Sequence, residues 1–126
     1  MKYVIVGGVA GGASSAARLR RLDEKAEIIM FEKGPHVSFS NCCLPYRLSE
    51  KIGKTESLVL MNPVQFAKQY NIQARTSSEV LSIDRDLKKV KVRNLENGQE
   101  YEETYDKLIL SPGGNAIVPP IKGIEN

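Results

Sequence analysis

The segment SFSNCCLPY, residues 38–46, holds the two cysteines of the chain, Cys42 and Cys43, side by side. A thiol becomes a strong nucleophile when its pKa falls, and the first turn of a helix favours the thiolate through its unpaired N–H groups and its dipole. Asn41 or Cys42 could cap a helix that reaches to about Glu50. The segment is therefore compatible with a reactive thiol at Cys42.

Adjacent cysteines can close only a strained ring, so a disulfide between Cys42 and Cys43 is not expected. A reactive thiol here would take its partner sulfur from a small external thiol, or would cycle through sulfenic acid. The alternative is that both cysteines are small, buried apolar residues, which is the commonest role of free Cys.

A glycine-rich turn, GGVAGG, spans residues 7–12. Against the dinucleotide-binding pattern G-x-G-x-x-G, Gly7 and Gly12 take the outer positions and Val9 replaces the middle glycine. Glu32 follows about 20 residues after Gly12, where it could accept hydrogen bonds from a ribose. Lys33 beside it is most simply a solvated lysine. The turn predicts a pyrophosphate at a helix N-terminus but does not separate FAD from NAD, and a turn without a ligand is the alternative.

A basic face is expected on the helix after this turn. Ser14, Arg18 and Arg21 are spaced i, i+4, i+7 and so lie on one side of it. Leu19 and Leu22, with Ser15, lie on another side, which we expect to face the sheet. This face is either a solvated surface or a phosphate site, because the guanidinium fork suits phosphate oxygens. The single histidine, His36, is expected in a surface loop, and the sequence holds no cluster of metal ligands.

The elements that must position these residues alternate between strand and helix. Buried strands are predicted over residues 3–8 and 26–33, with a helix over 11–23 between them. The predicted fold is α/β, a Rossmann-like domain with a parallel sheet and an inserted three-stranded antiparallel meander. The remaining predictions are a short helix over 62–70 with Asn62 as its N-cap, the meander over 78–104, a buried strand over 105–114 and a linker over 118–126.

The length and composition of the chain limit the classes of function that it can have. The chain has 126 residues and a net charge of +3, which suits one domain and is too mild to argue for nucleic acid. No apolar run approaches the roughly 18 residues of a membrane span. Two cysteines without a secretory signal favour a reducing cytoplasm. The parallel strands are few and a linker ends the chain, so we expect the N-terminal part of a larger fold.

Three stretches carry a family resemblance: residues 4–34, SFSNCCLPY, and YDKLILSPGG at residues 105–114. In that order they resemble the N-terminal FAD-binding segment of coenzyme A-disulfide reductases, which are pyridine nucleotide-disulfide oxidoreductases. The resemblance covers essentially the whole chain, residues 1–126. Its most specific motif is S-F-x-N-C-x-x-P-Y.

The resemblance implies a role for each motif. Cys42 would be the single redox cysteine and form a mixed disulfide with coenzyme A, whereas Cys43 stands where relatives carry a small residue and receives no catalytic role. FAD would contact Gly7, Gly8, Val9, Ala10, Gly11, Gly12, Glu32, Lys33, Val80, Ser111, Pro112 and Gly113. Coenzyme A would contact Ser14, Arg18, Arg21, Ser38 and Asn41.

The implied activity is NAD(P)H-dependent reduction of a small-molecule disulfide by a homodimer. The nicotinamide, second flavin-binding and dimerisation parts would follow residue 126, so we expect this chain alone not to turn over NAD(P)H. Two alternatives stay open. One is an NADH oxidase or polysulfide reductase of the same family, and the other is a non-catalytic nucleotide-binding or redox-sensing module.

Overall fold

The computed structural model describes residues 1–125. Its centre is a four-stranded sheet in the order β3-β2-β1-β7, in which every neighbouring pair is parallel. The strands are β1 (Lys2–Val6), β2 (Glu27–Phe31), β3 (Gln73–Arg75) and β7 (Lys107–Leu110). The parallel sheet is therefore confirmed, but β3 was not predicted.

Three helices connect the strands. The first, α1 (Ala10–Leu22), links β1 to β2, and α3 (Pro63–Tyr70) precedes β3. The N-terminus of α3 has the predicted Asn62 cap, reinforced by Gln65, whose side chain accepts from the Asn62 N–H at 2.9 Å. Between them lie a 3-10 turn at Asn41–Cys43, the short helix α2 (Leu44–Leu48) and a second 3-10 turn at Thr55–Leu58.

The antiparallel meander is confirmed. It consists of β4 (Ser78–Asp84), β5 (Lys89–Asn94) and β6 (Glu100–Thr104), paired in the order β4-β5-β6. A bulge shifts the register of β4 against β5 between Val80 and Ser82.

The core lies on both faces of the parallel sheet, because successive side chains of a strand point to opposite faces. Ile5 and Met30 belong to one cluster, which α1 and α3 cover with Ala16 and Phe66. Val4, Ile29 and Phe31 belong to the other, which the meander covers with Val90 and Val92. The two layers place the turns after β1, β2 and β7 at one edge, where the carboxyl ends of parallel strands meet.

Two sequence predictions about helices were wrong. The helix expected from Asn41 or Cys42 to Glu50 is a 3-10 turn followed by the five residues of α2, and neither segment has a side-chain cap. In α1, Leu22 was expected to face the sheet but is 65% exposed. The residues that α1 buries are Gly12, Ala13 and Ala16, because small side chains let the helix pack closely on the strands.

The last strand and the tail also differ from expectation. β7 is only half-buried, since it is the edge strand of the sheet in residues 1–125. The strand predicted over residues 105–114 spans only Lys107–Leu110. The linker predicted over residues 118–126 contains no helix or strand from 118 to 125, and residue 126 lies outside the described residues. None of the helices within residues 1–125 combines the length and the apolar character needed to cross a membrane.

Candidate functional site

The turn after β1 is shaped by glycines in close contact with other backbone. Gly7 has φ of +97°, a conformation that favours glycine, and its N–H donates to the Phe31 carbonyl oxygen at 2.8 Å. A Cβ at Gly7 would overlap the carbonyl oxygen of Ser111, and a Cβ at Gly12 would overlap that of Gly7. Glycines are therefore required for β1, α1 and the turn after β7 to approach each other.

The N-terminus of α1 presents unpaired donors. Val9 is the N-cap residue and makes no side-chain capping bond, and the first turn carries no acidic residue. Ala13 donates to the Val9 carbonyl oxygen at 3.1 Å, whereas the N–H groups of Ala10 to Gly12 have no acceptor within residues 1–125. Free N–H groups and the positive end of the helix dipole suit an anion.

A first cleft of about 250 Å³ lies where β1, β2 and β7 end. At its wall, the two carboxylate oxygens of Glu32 accept from Gly8 N–H at 3.2 Å and Gly34 N–H at 3.1 Å. Lys33 forms an ion pair with Glu79 at 3.0 Å. The lining residues are Val6, Gly7, Phe31, Glu32, Lys33, Ser78, Glu79, Val80, Pro112, Gly113, Gly114 and Asn115.

A second cleft of about 460 Å³ lies beside the N-terminus of α1 and contains Cys42. The Cys42 side chain is exposed and the Cys43 side chain is half-buried, and both are free thiols. Cys43 does not line this cleft. The lining residues are Val9, Ala10, Ala13, Ser14, Ser38, Phe39, Ser40, Asn41, Cys42 and Leu60.

The two thiols share one hydroxyl. The Ser40 Oγ lies 3.1 Å from Cys43 Sγ, to which it donates, and 3.5 Å from Cys42 Sγ. The hydrogen bond with Ser40 lowers the pKa of Cys42 below its ordinary value of 9.0, and smaller contributions come from the Cys43 thiol and from the Cys42 backbone N–H. From the sequence we expected a helix dipole to lower this pKa, but α2 is too short and starts too late for that.

The family comparison covers the whole chain. Residues 1–126 match the sequence pattern of the pyridine nucleotide-disulphide oxidoreductase family. The chain belongs to this family. A relative, the coenzyme A disulfide reductase of Staphylococcus aureus strain JH9, is 43% identical over 115 residues, which are 91% of this chain and 26% of that protein. This chain thus spans about a quarter of the length of such relatives.

Two solved structures are closely similar to this chain. Reduced CoADR-RHD of Bacillus anthracis has a TM-score of 0.91 and 48% identity, covering 98% of this chain and 22% of that one. The NAD-dependent persulfide reductase of A. fulgidus has a TM-score of 0.92 and 37% identity, covering 99% of this chain and 23% of that one. Both likenesses extend through the parallel sheet and the antiparallel meander.

The structure brings most of the predicted site residues together in two groups. Six of the predicted site residues line the first cleft and six line the second. The glycine turn lies between the two clefts, because Gly7 lines the first whereas Val9 and Ala10 line the second. Arg18 and Arg21 line neither. Both are exposed on α1, and within residues 1–125 neither makes a side-chain hydrogen bond or ion pair.

Two arginines and a serine have roles that sequence reasoning missed. Arg20 donates to four carbonyl oxygens, including those of Tyr70 at 2.7 Å and Asn71 at 2.8 Å, and so ties α1 to the end of α3. Arg75 lies over the Phe31 ring at 5.4 Å and joins the sheet to the meander. The role of Ser40 could not be predicted from the sequence, because its contact with both sulfurs depends on a turn that the local sequence pattern does not specify.

Proposed function

We propose that this chain, residues 1–126, is the FAD-binding N-terminal segment of a flavin-dependent NAD(P)H:disulfide oxidoreductase, most like a coenzyme A-disulfide reductase. One observation carries the proposal. The exposed Cys42 thiol opens into a cleft at the N-terminus of α1, together with Ser14, Ser38 and Asn41. The name of the 43% identical relative supports the substrate class.

The residues of the first cleft and the glycine turn fit FAD. The unpaired N–H groups at the start of α1 suit the pyrophosphate. The Glu32 carboxylate accepts two backbone N–H groups, and since a carboxylate has about four acceptor positions, it can also accept ribose hydroxyls. Val80, Pro112 and Gly113 complete the walls. When bound, FAD supplies a two-electron relay between NAD(P)H and the disulfide.

Cys42 is the proposed nucleophile. Its thiolate attacks one sulfur of coenzyme A disulfide, so that the S–S bond breaks, a Cys42–S–S–coenzyme A bond forms and one coenzyme A thiolate leaves. Two electrons that originate from NAD(P)H and one proton then convert this mixed disulfide into the second coenzyme A thiol and the Cys42 thiolate. The lowered pKa of Cys42 keeps the thiolate available for the next attack.

Coenzyme A is proposed to bind across the second cleft and α1. The walls formed by Val9, Ala13 and Leu60 suit its uncharged thiol-bearing arm, and Ser14, Ser38 and Asn41 offer hydrogen bonds. The guanidinium groups of Arg18 and Arg21 are exposed and not engaged with other side chains of residues 1–125, so they are available to the phosphates.

A second candidate substrate is a persulfide or polysulfide. The likeness to the A. fulgidus persulfide reductase favours it, because the same sheet and the same thiol turn, residues 40–43, would serve a smaller sulfur substrate. The cleft of about 460 Å³ is larger than such a substrate needs, and α1, which contributes Ser14 to it, also carries the exposed Arg18 and Arg21, so size and charge favour coenzyme A. The homodimer, the cytoplasmic location and the binding of NAD(P)H by another part of the protein are proposed on the family resemblance alone.

The test is steady-state oxidation of NADH and of NADPH by the natural full-length protein with three acceptors. We expect coenzyme A disulfide to give the highest kcat/KM. A higher kcat/KM for a persulfide would identify a persulfide reductase, and rapid consumption of oxygen without added disulfide would identify an oxidase. Absence of turnover with all acceptors, in protein that retains flavin, would favour a redox-sensing role.

A further inference from the structure

The Ser40 hydroxyl is held at a fixed place between the two thiols. The Ser40 N–H donates to the Leu58 carbonyl oxygen at 2.7 Å, and its own carbonyl oxygen accepts from the Cys43 N–H at 3.1 Å. These two backbone bonds fix the Cα of Ser40, and its half-buried side chain places Oγ 3.1 Å from Cys43 Sγ and 3.5 Å from Cys42 Sγ. A small rotation about the Cβ–Oγ bond of Ser40 is enough to change which sulfur accepts the hydrogen bond from its hydroxyl.

We propose that Ser40 is a positioning residue for Cys42, whose hydroxyl donates to Cys43 Sγ while Cys42 is a thiol and to Cys42 Sγ once Cys42 has released its proton to solvent. An ionised sulfur is a much stronger acceptor than a neutral thiol, so ionisation redirects the hydroxyl. Ser40 thereby stabilises the nucleophilic form of Cys42 and holds its sulfur toward the cleft. The importance of this for catalysis rests on the proposed function of Cys42.

Within residues 1–125, Ser40 is the one hydroxyl-bearing residue whose side chain hydrogen-bonds to the Cys42 sulfur. The residues that line the cleft carry no charged side chain. The titratable groups around it are Cys43, then Glu32 and His36, which line a neighbouring pocket. The helix packed against the thiol turn, α2, carries Tyr46 and Arg47, and Arg47 donates to the Thr55 hydroxyl at 3.3 Å. The hydrogen bond from Ser40 is also the largest cause of the lowered pKa of Cys42.

The test compares Cys43→Ala with Cys43→Ala/Ser40→Ala in the natural full-length protein. Alkylation by iodoacetamide is followed across pH, and the peptide with Cys42 is quantified by mass spectrometry. Removing Cys43 leaves one thiol in that peptide and also removes the second acceptor for Ser40. We expect Ser40→Ala to move the midpoint of the alkylation profile to higher pH and to slow alkylation at pH 7 by about three- to tenfold. Ser40→Thr, which keeps a hydroxyl, should restore the profile.

Three outcomes would overturn the proposal. The first is that Ser40→Ala leaves the midpoint of the alkylation profile unchanged, and the second is that Ser40→Thr does not restore that midpoint. The third is that Ser40→Ala shifts the midpoint when Cys43 is present but not in the Cys43→Ala background. The last result would mean that Ser40 acts only through Cys43. Alkylation requires no turnover, so this test can fail while disulfide reduction is confirmed, or succeed while it is not.

Discussion

The carbonyl oxygen of Ser111 occupies the place that a Cβ on Gly7 would take. The turn after β1 and the turn after β7 are therefore in direct contact, although the two residues lie near opposite ends of the sequence. The Ser111 N–H also donates to the Val6 carbonyl oxygen at 2.8 Å, which holds the two turns at this separation. The first cleft is bounded by both turns and depends on this contact.

We expect Gly7→Ala to destabilise the protein by roughly 2–4 kcal/mol, the sum of a left-handed backbone penalty and a steric overlap. The same change should release bound FAD. Gly53→Ala is the matched control, because no atom lies within 4 Å of a Cβ at that position. Chemical denaturation and flavin absorbance measure the two effects. Equal stability of the two variants would contradict the proposed contact.

Arg20 is expected to matter for stability rather than for catalysis. Arg20→Ala removes donors from four carbonyl oxygens at the ends of α1 and α3 and should cost roughly 1–3 kcal/mol of unfolding free energy. Arg21→Ala, on the exposed side of the same helix, should change it by less than about 0.5 kcal/mol. Denaturant midpoints measure both. Arg20→Lys should not restore stability, since an ammonium cannot reproduce the guanidinium fork.

Arg18 and Arg21 are expected to act on coenzyme A phosphates. Replacing either by Ala should raise the KM for coenzyme A disulfide by the equivalent of roughly 1–3 kcal/mol, the range for charge-assisted hydrogen bonds. The KM for a small uncharged disulfide should change much less. Lys68→Ala removes a positive charge from α3 and is the control for net charge. An unchanged KM for coenzyme A disulfide in both arginine variants would show that these side chains belong to a solvated surface and do not bind the phosphates.

Glu103 is expected to make stability depend on acid pH. Burial alone would raise the pKa of Glu103, but hydrogen bonds from Lys2 and Arg75 lower it below its ordinary value of 4.5. A carboxyl with a lowered pKa stabilises the fold above its unfolded-state pKa, and this stability is lost as pH falls through the folded-state pKa. Glu103→Gln should therefore be less stable than the natural protein at pH 7.

The gap between Glu103→Gln and the natural protein should narrow as the pH is lowered past 4.5, the ordinary pKa of the carboxyl. Thermal midpoints between pH 7 and pH 3 measure it. Glu102→Gln is the neighbouring control, because Glu102 is more exposed and forms one ion pair, with Lys89 at 3.1 Å. A gap that stays constant with pH would show that Glu103 contributes by shape and not by charge.

Much of the fold could be predicted from the sequence because local signals agree with it. The apolar runs before and after α1 identify β1 and β2, and the capping residues of α3 mark its start. β3 was missed because the three residues Gln73–Arg75 show no apolar pattern and become a strand only by pairing with β2. The burial of Leu22 was predicted wrongly, since the spacing of leucines does not reveal that α1 packs through Gly12 and alanines.

The candidate site could be predicted in part. The residue types of the glycine turn, Glu32 and Cys42 indicate chemistry directly, and the structure places them around two clefts. The cause of the lowered pKa of Cys42 could not be predicted, because it depends on the side-chain position of Ser40, the residue before a 3-10 turn, and not on a helix dipole. The contact between Gly7 and Ser111 joins distant parts of the sequence, so only the assembled sheet reveals it.

The most direct test of the account is the mass of the full-length protein after incubation with coenzyme A disulfide. We expect one reductant-sensitive coenzyme A adduct, mapped to Cys42. The adduct should be absent in Cys42→Ser, which should still bind flavin and accept electrons from NAD(P)H, and present in Cys43→Ala, which should keep most of the activity. An adduct on Cys43, or a Cys42–Cys43 disulfide in the active oxidised enzyme, would contradict the assignment of Cys42 as the redox thiol.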